Sequence, residues 1–354
     1  MNDIVLYKPD WEEAKQRFVA WWAGEVTDRI AMSVTAPNGK PRRELPLPDD
    51  PFRSYGDPEY LVEWCEANFS ATYYAAEAFP CKTLLIGWAA LGTPVTYMPN
   101  TIWAEHVIED YDRDMPLFDT GNPAWQTLAD VVKTLFEAGR DKWVTELPTV
   151  LDPTDQLSSL RGNDRLCMDL VDCPEKVSGA LDCLTGIWFR AYGELGEMLH
   201  AREFGSTGWL PLWSPGMSTT IQCDFCCLIG PAMFERFVIP ELQTRARWLD
   251  NCLYHLDGPE AVKHLDALLE IPEIKGIQWV PGAGQAAALD WPEVLRKVQN
   301  AGKLLHISIA ADQVERALAE LRPEGLFIAT GCGSREEADE LVKLARRRTT
   351  SRQG

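Results

Sequence analysis

With 354 residues and 46% apolar side chains, the chain can bury a large core, and its length suits an α/β barrel folded as one domain. Lys and Arg total 34 against 53 Asp and Glu, a net charge of −19. That balance excludes a nucleic-acid binder, which needs clustered cations, and points to small-molecule substrates or basic protein surfaces. No apolar run reaches the length of a membrane span. The opening Met1-Asn2-Asp3-Ile4-Val5-Leu6 lacks the basic and apolar regions of a signal peptide. The ten cysteines are scattered through apolar segments, so reduced thiols in a cytoplasmic protein are expected, with no membrane partner.

Trp11–Gly24 has the spacing of an amphipathic helix, and Arg29–Thr35 the composition of a strand. The next segment, Ala36–Asp57, holds five prolines from Pro37 to Pro51 and reads as a surface loop long enough to serve as a lid. Pro58–Glu77 reads as a helix, Thr83–Trp88 as a short strand, 93–122 as irregular with a hairpin, and Pro123–Gly139 as a helix. Apolar runs and helical patterns then alternate. Strands are expected at Trp143–Leu147, Gly208–Trp213, Cys252–Asp257, Gly276–Val280, Leu304–Ile309 and Gly325–Ala329. Helices are expected at 174–201, 230–250, 259–270, 291–301, 311–321 and 334–346.

With the two early strands the count reaches eight, which is that of a (β/α)8 TIM barrel. An open doubly wound sheet is the rival, but no Gly-x-Gly-x-x-Gly turn follows the first strand. The expected α/β fold is therefore a single-domain TIM barrel over 1–354, with an N-terminal helix and loop added and a frayed basic tail at 346–354.

Polar residues gather at the ends of these strands. His255 and Asp257 stand at i and i+2 of one strand and so share a face. Gln278, His306 and Cys332 occupy corresponding places in the next three units. Polar groups at the ends of apolar strands are costly to bury without partners, and the C-terminal mouth is where barrel enzymes work. His255, Asp257 and Cys332 are competent zinc ligands and leave the open fourth position of a catalytic site. The alternative is that His255 and Asp257 bond each other and Cys332 packs.

Asp224 follows the 208–213 strand and either orients substrate or caps a helix. Trp209, Trp213 and Trp279 either belong to the core or line an apolar pocket. The Cys223-Asp224-Phe225-Cys226-Cys227 cluster lacks the second Cys pair of a zinc ribbon and reads as ordinary buried thiols.

Four segments carry a family resemblance: Ile239-Pro240-Glu241-Leu242, Tyr254-His255-Leu256-Asp257-Gly258, Gly276 through Gly284, and Thr330-Gly331-Cys332-Gly333. In them the chain resembles the uroporphyrinogen decarboxylase-like superfamily, most closely its corrinoid-linked methyltransferase branch. Those enzymes bind zinc through a His-x-Cys pair and a later Cys in a Gly-Cys-Gly turn. The resemblance gives His255 and Cys332 those roles, while position 257 departs from it, being Asp. The cobalamin-independent methionine synthases add a Glu near the place of Gln278. The decarboxylases themselves carry an Arg-rich motif after the first strand, which Ala36 through Arg43 does not reproduce.

The resemblance implies a zinc-dependent methyltransferase that moves a methyl group between a small methylated donor, such as a methoxyarene, and a corrinoid, free or on a partner protein. His255, Asp257 and His306 would be catalytic, and Trp209, Trp213, Asp224, Gln278 and Trp279 would hold substrate. A metal-independent decarboxylase or lyase and a non-catalytic tetrapyrrole- or corrinoid-binding barrel are the alternatives.

Overall fold

The structure is a computed structural model that describes residues 6–87, 93–150 and 152–353. Short runs of apolar and β-branched residues form its strands: β1 Ala31–Pro37, β2 Thr72–Ala76, β3 Val95–Tyr97, β4 Ile102–Ala104, β5 Ile221–Gln222, β6 Leu253–Asp257, β7 Gly276–Val280, β8 Leu304–Ser308 and β9 Leu326–Gly331. Seven of them make one sheet in the order β2-β1-β9-β8-β7-β6-β5, and β3 and β4 pair as a separate hairpin. Within the large sheet β2 runs antiparallel to β1, and all the other neighbours are parallel. No helix among the described residues is long and apolar enough to cross a membrane.

Alternation divides the sheet into two chemical faces. Met32, Val34, Tyr254, Leu256, Ile277, Trp279, Leu305, Ile307 and Ile328 are buried on one. Helices Pro292–Asn300 and Arg335–Gln353 pack over parts of the sheet. Each such side chain contributes about 1.5–3 kcal/mol of burial. The opposite face is polar at its centre. Lateral register places Gln222 beside His255, His255 beside Gln278, Gln278 beside His306, and His306 beside Phe327.

The N-terminal helix Trp11–Trp22 lies beneath this polar row. Its Phe18 stacks on Phe327 with ring centroids 5.9 Å apart, and Trp21 meets the same ring edge-on at 5.2 Å. Trp21 Nε1 donates to the Gly325 carbonyl at 2.9 Å, and Trp22 Nε1 to that of Trp213 at 3.0 Å. Trp11, Phe79, Trp213, Leu253 and Leu304 complete an apolar layer. The helix thus seals the N-terminal ends of the strands and leaves the C-terminal ends open.

Four features depart from the sequence expectations. Trp143–Leu147 makes no ladder, Gly208–Trp213 is a bent loop closed by the Ser206–Ser214 bridge, and Leu85–Gly87 is a 3-10 turn; Trp88 lies outside the described residues. Single backbone bonds join these segments instead: Val144 N to Pro80 O (3.0 Å), Thr149 N to Leu84 O (3.2 Å) and Leu147 N to Thr207 O (2.8 Å). Pro80, Pro148 and Pro211 lack the N–H a ladder needs. The expected eight parallel strands are replaced by a seven-stranded mixed sheet, and no ladder closes it among the described residues.

The helix expected over 58–77 ends at Phe69, because Tyr73 and Tyr74 pair with Ala36 and Thr35 in β2. Such residues favour strands. The tail expected to fray is the end of helix Arg335–Gln353. It docks through Thr349, whose Oγ1 accepts from Ile30 N at 3.3 Å, and through Arg346 against Asp28 at 2.6 Å.

Glu146 ties the irregular wall together, since its Oε1 accepts from Leu84 N and it is 1% exposed. Burial pushes this carboxyl up to about 8, against the opposing pull of Leu84 N and Lys82. In the unfolded chain a glutamate ionises near ~4.3. The folded protein therefore holds a proton that the unfolded chain releases, so stability falls as pH rises through that window. Glu146→Gln keeps the carbonyl acceptor for Leu84 and should flatten the decline in the urea unfolding midpoint between about pH 5 and 8. Parallel declines in variant and wild type would contradict this assignment.

Candidate metal centre

The register row brings the polar groups together. His255 Nδ1 lies 2.6 Å from Gln278 Oε1. The amide oxygen can only accept, so Nδ1 carries the proton and Nε2 keeps a free lone pair. Burial lowers the His255 pKa, outweighing Gln278 and the nearby Asp257 and Asp155 carboxylates. A neutral imidazole with one nitrogen fixed and the other free is the form a metal ligand takes. Trp209 meets the His255 ring edge-on at 5.0 Å and donates from Nε1 to Thr220 O at 3.2 Å.

Asp257 lies two residues further along β6, and Asp224 reaches it from the turn after β5. One ligand atom from each of Asp224, His255 and Asp257 lies within 4.8 Å of the others. Ligand bonds of ~2.0–2.2 Å set tetrahedral donors about 3.5 Å apart, so the three groups would draw closer around a bound ion. One nitrogen and two oxygens form a donor set that fits a divalent ion. The Asp224 carboxyl is pushed up to about 7, first by desolvation and then by the Asp155 and Asp257 charges, as expected where carboxylates crowd without a cation.

Asp224 is held from behind. Asp155, in the first turn of helix Pro153–Arg161, accepts from Phe225 N at 2.9 Å and from Asp224 N at 3.0 Å. Gln222 Nε2 donates to Asp224 Oδ2 at 3.2 Å. Next to Asp155, Asp152 accepts from Gln222 N at 2.5 Å and pairs with Arg245, which also donates to Glu241 at 2.7 Å. Arg245 is fully buried, so this ion network anchors the turn in low dielectric. The sequence reading missed Asp155 and Gln222. Asp152-Pro153 is a helix-start signal that would have placed Asp155 at a helix N-terminus, but not beneath Asp224.

Several expected residues stand elsewhere. Cys332 is not part of the metal-capable group. It follows β9, which lies three strands from β6 in the sheet order, and its Sγ is directed to the carbonyls of Ser334 (3.5 Å) and Thr35 (3.8 Å). It lines a separate cleft with Lys40 and Arg42. Trp213 belongs to the apolar floor, against Trp11 at 5.9 Å. Trp279 alternates away from Gln278, is fully buried and packs on Trp291 at 5.5 Å.

His306 stays on the site, but burial, and then the neighbouring His255, lower its pKa to about 3. It is therefore neutral near pH 7, and its Nδ1 has no hydrogen-bond partner among the described residues. Cys223 and Cys226 are buried, as expected for packing thiols, whereas Cys227 is half-buried with its Sγ 3.8 Å from the Asp257 carbonyl.

No protein-family model matches the chain, and no curated protein does. The fold is similar to that of a methyltransferase from Methanosarcina mazei, with a TM-score of 0.63 and 14% identity over 94% of this chain and 98% of that chain.

Because Asp155 fixes the backbone that carries Asp224, Asp155→Asn removes one of two acceptors and should weaken zinc binding about ten- to hundredfold by titration calorimetry. An unchanged affinity would show that the turn holds its place without Asp155.

Proposed function

We propose that the protein is a metal-dependent methyltransferase of the uroporphyrinogen decarboxylase-like superfamily. Its sheet is read as a barrel of βα units in one domain, with the joined segments at 80–84, 143–149 and 206–214 standing in for ladder strands. The observation that carries the reading is the convergence of Asp224, His255 and Asp257 at the C-terminal end of β6. The overall likeness to a methyltransferase supports it. Asp224 takes the third place in the ligand set, where Cys332 was expected.

A zinc or similar divalent ion held by one nitrogen and two oxygens supplies a Lewis acid with a preference for oxygen ligands. The chain's own residues set the conditions for that chemistry. Gln278 fixes the His255 tautomer, Asp155 and Gln222 aim Asp224, and Trp209 walls one side of the imidazole. The aromatic floor keeps water from reaching the site from below.

An oxygen-directed site suits O-demethylation better than thiol methylation. The methyl–oxygen bond of a methoxy donor breaks, its electron pair stays on oxygen, and that oxygen takes up a proton. The methyl carbon is taken by the electron pair of a reduced corrinoid cobalt, presented by a partner protein. A cytoplasmic location, where reduced corrinoids and free thiols persist, belongs to the same reading.

The test compares wild type with Asp224→Ala, His255→Ala and Cys332→Ser for bound metal and for methyl transfer from 2-methoxyphenol to reduced cobalamin. Wild type should hold about one divalent ion per chain. Asp224→Ala and His255→Ala should lose most of the metal and the transfer, while Cys332→Ser keeps both. Metal lost in Cys332→Ser and kept in Asp224→Ala would restore the His-Asp-Cys centre. A metal-loaded protein that binds corrinoid without any transfer would leave a binding barrel.

A further inference from the structure

Above the polar row lies a cavity of about 920 Å³ between the C-terminal ends of β7, β8, β9 and β1. Gly282 lines it and stands next to Asp257, whose Oδ1 is 3.8 Å from the place a Cβ on that glycine would occupy. The cavity therefore opens beside the candidate metal centre. Its lining is unusual in charge. Among the described residues Asp312 is the one charged group on its wall, and Ser33, Thr35 and Ser308 contribute hydroxyls. Phe327 supplies an aromatic face on which the His306 ring stacks, 5.2 Å between centroids. His306 lines the same space, is 1% exposed, and its Nδ1 has no hydrogen-bond partner among the described residues. A buried polar atom left so costs about 1–3 kcal/mol, which a ligand's hydrogen bond recovers.

These features define what the cavity accepts. Lys40 and Arg42 belong to the adjoining cleft beyond Thr35 and Gly331, and both are solvent-exposed, where screening weakens their reach. An anion entering the cavity would lose hydration and meet Asp312 on the wall and Asp257 beside Gly282, with no cationic side chain among the lining residues. A divalent ion at the metal centre would be engaged by the carboxylates that hold it. His306, being neutral, offers a hydrogen bond but no charge.

We propose that this cavity takes an uncharged molecule with an apolar or aromatic body and a hydrogen-bonding oxygen placed against His306, and that it rejects anions of the same size. The inference rests on the methyl-transfer reading only for the methyl group that such a substrate carries. The selection by charge rests on the cavity wall.

The experiment measures binding of 2-methoxyphenol and of its carboxylate counterpart, 4-hydroxy-3-methoxybenzoate, to the zinc-loaded full chain at pH 7 by calorimetry. The uncharged phenol should bind at least tenfold tighter than the carboxylate. His306→Phe and, separately, Ser308→Ala test the wall. His306→Phe should weaken phenol binding about fivefold or more, and Ser308→Ala, on the solvent-exposed end of β8, should weaken it less while leaving the preference for the uncharged probe intact. Equal or tighter binding of the carboxylate, no binding of either probe, or phenol affinity unchanged in His306→Phe would each overturn the proposal. Selective phenol binding without methyl loss to reduced cobalamin would instead overturn the methyl-transfer reading and leave the cavity's selectivity standing.

Discussion

In a parallel sheet a residue and its lateral neighbours share a face, and this constraint organises the site. Gln222, His255, Gln278 and His306 come from four separate strands, yet register sets them in one row. A one-residue slip of β6 would turn His255 and Asp257 into the packed face and bring Tyr254 and Leu256 to the polar one. That slip is opposed by the complete burial of Tyr254, Leu256, Ile277 and Ile307 on the packed face. The chemistry at the strand ends thus depends on hydrophobic packing that never touches it. The aromatic floor has the same relation to the site, because Phe327 is both the partner of Phe18 below and of His306 beside it.

Electrostatics explains why the acidic side of the site is built in two tiers. Asp155 and Asp152 are fully enclosed, and each is compensated by backbone N–H groups or by Arg245. Asp224 and Asp257 receive no such cation among the described residues, so the crowding stays uncompensated at the end of β6. Structural ion networks and ligand sites both perturb carboxylates. Here the difference lies in where the neutralising charge comes from: in the inner tier the protein supplies it, and in the outer tier a bound ion would.

Much of this was legible in the sequence, and the limits have physical causes. β6 through β9 are short apolar runs flanked by turns, and their places agree with the pattern to within a residue or two. The i, i+2 spacing of His255 and Asp257 identified the strand face correctly. The stretches at 143–149 and 206–214 have strand-like composition, but prolines interrupt them and 206–214 folds back on itself through the Ser206–Ser214 bridge, and composition does not report hydrogen-bonding partners. Cys332 illustrates a different limit. A Gly-Cys-Gly turn is recognisable locally, whereas the direction of its sulfur depends on β1, whose Thr35 carbonyl it faces across almost the whole chain. Asp155 was invisible for the same reason, since the groups it holds are about seventy positions away.

The central claim is that one imidazole and two carboxylates, with no thiolate, form the metal centre. X-ray absorption at the zinc edge on the zinc-loaded full chain tests it most directly. The first shell should consist of nitrogen and oxygen alone at ~2.0–2.2 Å, with the outer scattering of a single imidazole. A sulfur scatterer at ~2.3 Å would place Cys332 or another thiol on the metal and contradict the Asp224, His255 and Asp257 ligand set.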